Sequence, residues 1–118
     1  MICKFLTFAL FVTFGLLSVA CDPSDANTLD VTLRAYDVGF DTQTINVKAN
    51  QSVKLRFMNT GALDHAFAAE GLVKELKVRP GQTVTLTFTP KTEGEYKFYC
   101  PLMGHETLGM VGKLAVAR

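Results

Sequence analysis

The chain has 118 residues, enough for one domain, with twelve basic and eleven acidic residues and a formal net charge of +1. Near-neutral charge without a basic run excludes the electrostatic footprint of a nucleic-acid binder. Two of the three cysteines, Cys3 and Cys21, lie in the first 21 residues, so the rest of the chain, with Cys100 alone, has no internal disulfide to form.

Lys4 is followed by an apolar run over residues 5–17 and then by Ser18, Val19, Ala20 and Cys21. A short positive region, a short apolar stretch and small residues read as a secretory signal over residues 1–20. The run is shorter than the roughly 20 apolar residues of a spanning helix. Two cleavages are open. Ser18, Val19 and Ala20 suit an ordinary signal peptidase. Residues 17–21 also resemble a bacterial lipoprotein box, in which Cys21 becomes a lipidated N-terminus. Lipidation is the preferred reading, because a free Cys at the new end of an exported protein needs an explanation. Asp22, by resemblance to enteric lipoproteins, implies retention at the inner membrane. Residues 21–28, with Pro23 and Ser24, then form the lipidated Cys and a polar tether. Because Lys4 is the one basic residue in the leader, the charges from Asp22 onward balance.

Residues 29–118 read as a single all-β domain. Apolar and polar residues alternate at Leu29, Val31 and Leu33, at Ile45 and Val47, and at Val53, Leu55 and Phe57. The pattern resumes at Val84, Leu86 and Phe88, at Tyr96 and Phe98, and at Leu114 and Val116. Turn-forming residues separate these runs at 37–39, 49–51, 59–61, 79–81 and 92–94. No long helical period occurs after residue 28. Short strands at spacings of roughly 8–12 residues predict a two-sheet Greek-key β-sandwich. Leu33, Val47, Leu55, Phe57, Leu86, Phe88 and Phe98 are its candidate core, and Met58 is read as core with them.

The chemistry lies in the loop before the last strand. Cys100 is followed five residues later by His105, and His105 five later by Met110. The other histidine, His65, follows the turn at 59–61, and a sandwich can bring that turn beside the 100–110 loop. Taken singly, a buried Cys, a Met near a strand or a lone His is usually structural. Together they make one thiolate, two imidazoles and one thioether, a soft donor set that suits copper. A Cys and two His with a weak axial Met is the arrangement of a mononuclear blue-copper site. Zinc is the competing metal, held by the Cys and both His with one position open, but it gains little from a thioether. Met103 is poorly placed as the axial donor, being only three residues from Cys100.

These residues carry a resemblance to a family. Tyr99-Cys100, Gly104-His105 and Gly109-Met110-Val111-Gly112 resemble the copper loop of cupredoxins, the small blue-copper proteins. The Cys–His–Met spacing is closer to the rusticyanin and auracyanin type than to plastocyanin. Upstream, Val53-x-Leu55-x-Phe57-x-Asn59-x-Gly61 and His65-x-Phe67 resemble the family's first ligand region. The resemblance covers roughly residues 29–118. It implies His65, Cys100 and His105 as strong copper ligands, Met110 as the axial one, and His105 as a partly exposed electron port. Many relatives carry Asn, Ser or Asp directly after the first His. Here the residue is Ala66, with Asn59 or Thr60 as candidate substitutes. Asp64 stands beside His65 and would bring negative charge to the site.

The expected function is one-electron transfer by a type 1 copper protein at the outer face of a bacterial membrane. The alternative is a copper carrier for homeostasis. An enzyme with further copper sites needs more histidines than the two present. Leu63, Leu102, Met103 and Leu108 are expected to surround His105 as an apolar patch for transient docking of redox partner proteins. The protein is expected to be exported, anchored through Cys21 and monomeric, with no nucleic acid as partner.

Overall fold

Alternation along the sequence becomes alternation in burial. The computed structural model describes residues 27–118, so the signal over 1–20, the lipidation of Cys21 and the tether up to residue 26 lie outside the described residues. Nine strands follow among the described residues: β1 (Thr28–Tyr36), β2 (Gly39–Phe40), β3 (Thr44–Lys48), β4 (Ser52–Asn59), β5 (His65–Ala69), β6 (Val73–Val78), β7 (Thr83–Phe88), β8 (Gly94–Tyr99) and β9 (Val111–Ala117). Thr28, the last residue of the expected tether, pairs with Ser52 at the start of β1. In β4, Val53, Leu55 and Phe57 are buried while Lys54 and Arg56 face solvent, the period-2 signature of a half-buried strand.

The strands form two sheets, ordered β2-β1-β4-β7 and β3-β9-β8-β5-β6. β1 runs parallel to β4, and β3 parallel to β9. The remaining pairs are antiparallel. The sheets face each other across an aromatic core, giving the expected Greek-key sandwich. Phe57 of one sheet lies 5.8 Å from Phe67 of the other, and Phe40 lies 5.4 Å from Phe98. Such offset and edge-on pairs add about 0.5–1.5 kcal/mol each beyond the area they bury. Leu33, Val47, Leu55, Phe57, Phe88 and Phe98 are buried as expected.

Two of the core assignments need correction. Leu86 is only half-buried, because β7 is the outermost strand of its sheet. Met58 is half-buried on the outward side of β4, in phase with Lys54 and Arg56. Two strands also carry no alternating signal. All five residues of β5 are buried, so the strand has no solvent-facing side to set up an alternation. β6 is a sheet edge carrying the exposed residues Lys74, Glu75 and Lys77, charges that blunt edge-to-edge pairing.

Gly112 is explained by its partner across the ladder. It stands opposite Phe98, and a Cβ there would run into the Phe98 ring and come within 2.8 Å of the Gln43 carbonyl. The absent side chain lets the Phe98 ring lie flat over β9. Phe98 is thereby fully buried two residues before Cys100.

Candidate metal centre

The site lies at one end of the sandwich, where β5 begins, β8 ends and β9 begins. Tyr99 pairs with Val111, so the two strands close the base of the 100–110 loop. The Cys100 amide donates to the Met110 carbonyl at 3.1 Å, and the Met110 amide donates to the His105 carbonyl at 3.0 Å. Gly104 (φ +83°) and Gly109 (φ +100°) take left-handed conformations that β-carbon-bearing residues rarely adopt. The loop is thus a closed, hydrogen-bonded turn that presets the spacing of its three candidate donors.

His65, Cys100 and His105 come together. One candidate donor atom from each lies within 4.8 Å of the others. Cys100 Sγ is 3.4 Å from His105 Nδ1, and the two imidazole rings are 5.1 Å apart at their centres. His65, Cys100 and Met110 are buried, and His105 is half-buried. Both ring nitrogens of His65 are buried without a hydrogen-bond partner. A buried polar atom left unpaired costs about 1–3 kcal/mol, so a fully enclosed imidazole with neither nitrogen satisfied is a candidate metal ligand.

Ala66, which stands where many relatives carry a polar side chain, acts through its backbone. Its N–H donates to Cys100 Sγ at 3.3 Å, a contact that needs no polar side chain. Asn59 is the other brace. It is buried, donates from Nδ2 to the carbonyls of Leu63 (2.8 Å) and Val78 (2.9 Å), and accepts from the Gly61 amide at 3.0 Å. Thr60 donates from both N and Oγ1 to the Ala35 carbonyl. Together they fix the turn that delivers His65.

The carboxylate beside His65 is Asp37, in the β1–β2 turn. Asp37 Oδ1 lies 3.6 Å from His65 Nε2. The turn signal at 37–39 marked the residue only as a loop position, and nothing in the local sequence ties it to His65. Asp64, the acidic residue singled out from the sequence, is exposed. Hydrogen bonds from the Ala62 and Leu63 amides hold the Asp37 carboxyl below its usual range, with a smaller contribution from His65. Lys97 adds a surface clamp, bonding Glu106 at 2.8 Å and Glu70 at 3.1 Å, and both partners raise its pKa. Such exposed pairs are worth about 0–1 kcal/mol each, but this one ties the residue after His105 to β8.

Of the expected apolar patch, Leu63, Met103 and Leu108 are exposed, Met103 almost completely. Leu102 is half-buried and packs on the core instead.

Burial lowers the His65 pKa below the ordinary 6.5, His105 pushes the same way, and Asp37, with a smaller effect from Asp64, opposes both. An unfolded chain takes up this proton near pH 6.5, whereas the folded, metal-free protein holds it off to lower pH. The unfolded state therefore binds more protons in that interval, and stability falls as the pH falls. Above about pH 6.5 the contribution is fully present. Urea unfolding of the metal-free protein is expected to give a lower midpoint at about pH 5.5 than at about pH 7.5. A His65→Phe variant is expected to lose most of that difference, and an equal difference in both proteins would show that His65 is not its source.

Several solved structures share the fold. A dithionite-reduced auracyanin from the photosynthetic bacterium Roseiflexus castenholzii is similar at a TM-score of 0.68 and 20% identity, over 75% of this chain and 97% of that one. Auracyanin B is similar at 0.67 and 21% identity, over 75% and 88%. Auracyanin A, a "blue" copper protein from the green thermophilic photosynthetic bacterium Chloroflexus aurantiacus, is similar at 0.65 and 22%, over 75% and 98%. No curated protein matches the chain. The cupredoxin-like domain matches residues 6–116, nearly the whole sequence, and the chain belongs to the cupredoxin-like family.

Proposed function

We propose that this protein is a type 1 copper protein that carries single electrons, exported and held at the outer face of a bacterial inner membrane through Cys21. The reading rests above all on the convergence of His65, Cys100 and His105, with both nitrogens of a fully buried His65 unpartnered. A thiolate and two imidazoles fit copper, and Met110, fully buried in the same loop, would add its thioether as a fourth, weaker donor. Bound copper supplies a one-electron couple between Cu(I) and Cu(II).

The chain's own part is to hold the donors still and keep water away. The loop hydrogen bonds at Cys100 and Met110 fix two donors against each other. Asn59 and Thr60 fix the turn before His65. A donor set held rigid changes little when the charge on the metal changes, which favours fast electron exchange. His105, half-buried, is the proposed point of exchange, and the exposed Leu63, Met103 and Leu108 are the proposed contact for transient redox partners. Both histidines of the chain are engaged in this one site, which leaves none for a second copper.

Adding Cu(II) to the purified domain is expected to give an intense thiolate-to-copper absorption in the visible and a reversible one-electron couple by voltammetry. Absence of the band would refute the site. A band accompanied by rapid loss of metal to a mild chelator, without a reversible couple, would favour copper handling instead. Mass spectrometry of the membrane-extracted protein tests the anchor: an unmodified Cys21 would remove it.

A further inference from the structure

We propose that Asp37 is a positioning residue for His65: its carboxylate takes the Nε2–H of the buried imidazole and so leaves Nδ1 as the lone pair free to bind a metal. The inference rests on the metal-site reading and concerns how one of its ligands is prepared.

Three observations carry it. First, the carboxylate is held in place. Asp37 Oδ1 accepts the Ala62 amide at 2.9 Å and the Leu63 amide at 3.2 Å, and Oδ2 accepts the Ala62 amide at 3.1 Å. These are the amides of the turn that leads into His65. Second, the turn is shaped to admit it. A Cβ at Gly61 would collide with Asp37 Oδ1 and lie 3.0 Å from the Asp37 backbone nitrogen. Third, the carboxylate stands at His65 Nε2, 3.6 Å away, and that nitrogen has no other partner. A few tenths of an ångström close this gap to a hydrogen bond. The Asp37 side chain is 45% exposed while that of His65 is 0% exposed, so Asp37 forms the wall between the imidazole and solvent.

The chemistry follows from the imidazole itself. A neutral ring has one N–H and one lone pair, and only the lone pair can bind a metal. An ionised carboxylate only accepts, so it selects the tautomer with hydrogen on Nε2. It also makes the remaining nitrogen a stronger donor, as carboxylates behind ligating histidines do. A negative charge so close favours Cu(II) over Cu(I).

The test begins with the metal-free protein. Nitrogen NMR of the His65 ring at a pH where it is neutral is expected to show a single tautomer with hydrogen on Nε2. Asp37→Asn keeps an oxygen for the two amides but loses the charge. It is expected to give mixed tautomers, about 10–100-fold weaker Cu(II) binding and a more positive reduction potential. Gly61→Ala, which displaces the carboxylate, is expected to shift the tautomers in the same direction. A wild-type His65 with hydrogen on Nδ1 would overturn the proposal even if no variant folds. So would an Asp37→Asn protein whose tautomer and copper affinity match wild type. The tautomer is read without metal. A domain that binds no copper therefore sinks the functional reading and leaves the Asp37 result standing on its own.

Discussion

Cys100→Ser is expected to abolish the thiolate-to-copper absorption and to leave the sandwich folded. Cys100 is the one thiol among the described residues and is wholly buried at the end of β8. The absorption requires electron density on sulfur, and a serine hydroxyl is a hard, weakly basic donor that cannot supply it. The loss should therefore be complete. The fold has little reason to fail, because serine is close to cysteine in size and its oxygen can still accept the Ala66 amide. Burying a hydroxyl in place of a thiol should cost about 1–3 kcal/mol of stability. Visible spectroscopy of copper-loaded protein and far-UV circular dichroism of the same sample provide the check. A band that survives in a folded Cys100→Ser protein would mean that the thiolate is not a ligand.

Phe98→Ala should lower the stability of the metal-free domain by about 3–5 kcal/mol. Phe98 is fully buried and packs on Phe40 from the opposite sheet, with centres 5.4 Å apart, and on Phe67 of β5 at 5.7 Å. Gly112 leaves no side chain to collapse into the space on the β9 side. The cavity should therefore stay open, and the cost should lie near the top of the range. Against a typical total of about 5–15 kcal/mol this is a large share. Each kcal/mol is worth roughly 4–8 °C in melting temperature for a domain of this size. The effect reaches the candidate site as well, because Phe98 and Phe67 each stand two residues from a proposed ligand, Cys100 and His65. Denaturant titration measures the loss, and a change below about 1 kcal/mol would show that the aromatic cluster is not the core holding these strands.

The two-sheet architecture was legible wherever a strand has one wet and one dry face. β1, β3 and β4 show it, because period-2 burial writes itself into the order of residues. β5 was not legible, since a strand with both faces covered buries every residue and loses the alternation. β6 was not legible either, since consecutive exposed Lys74 and Glu75 break the alternation. In the site, Cys100, His105 and Met110 were readable because they share one short loop whose geometry is local. His65 could be added because the chain has a single other histidine.

By itself, then, the sequence put forward a candidate donor set, and the structure gathers three of its members, His65, Cys100 and His105, at one end of the sandwich. Identity and spacing of soft ligands are properties of the chain. The tertiary structure alone decided what stands behind those candidate ligands. The Ala66 amide reaches a sulfur 34 positions away, and it belongs to the backbone, which is the same for every residue type but proline. The Leu63 amide reaches the Asp37 carboxylate across 26 positions. That meeting depends on how the β1–β2 turn and the turn before His65 fold over the same end of the molecule, and no local pattern of residues encodes it.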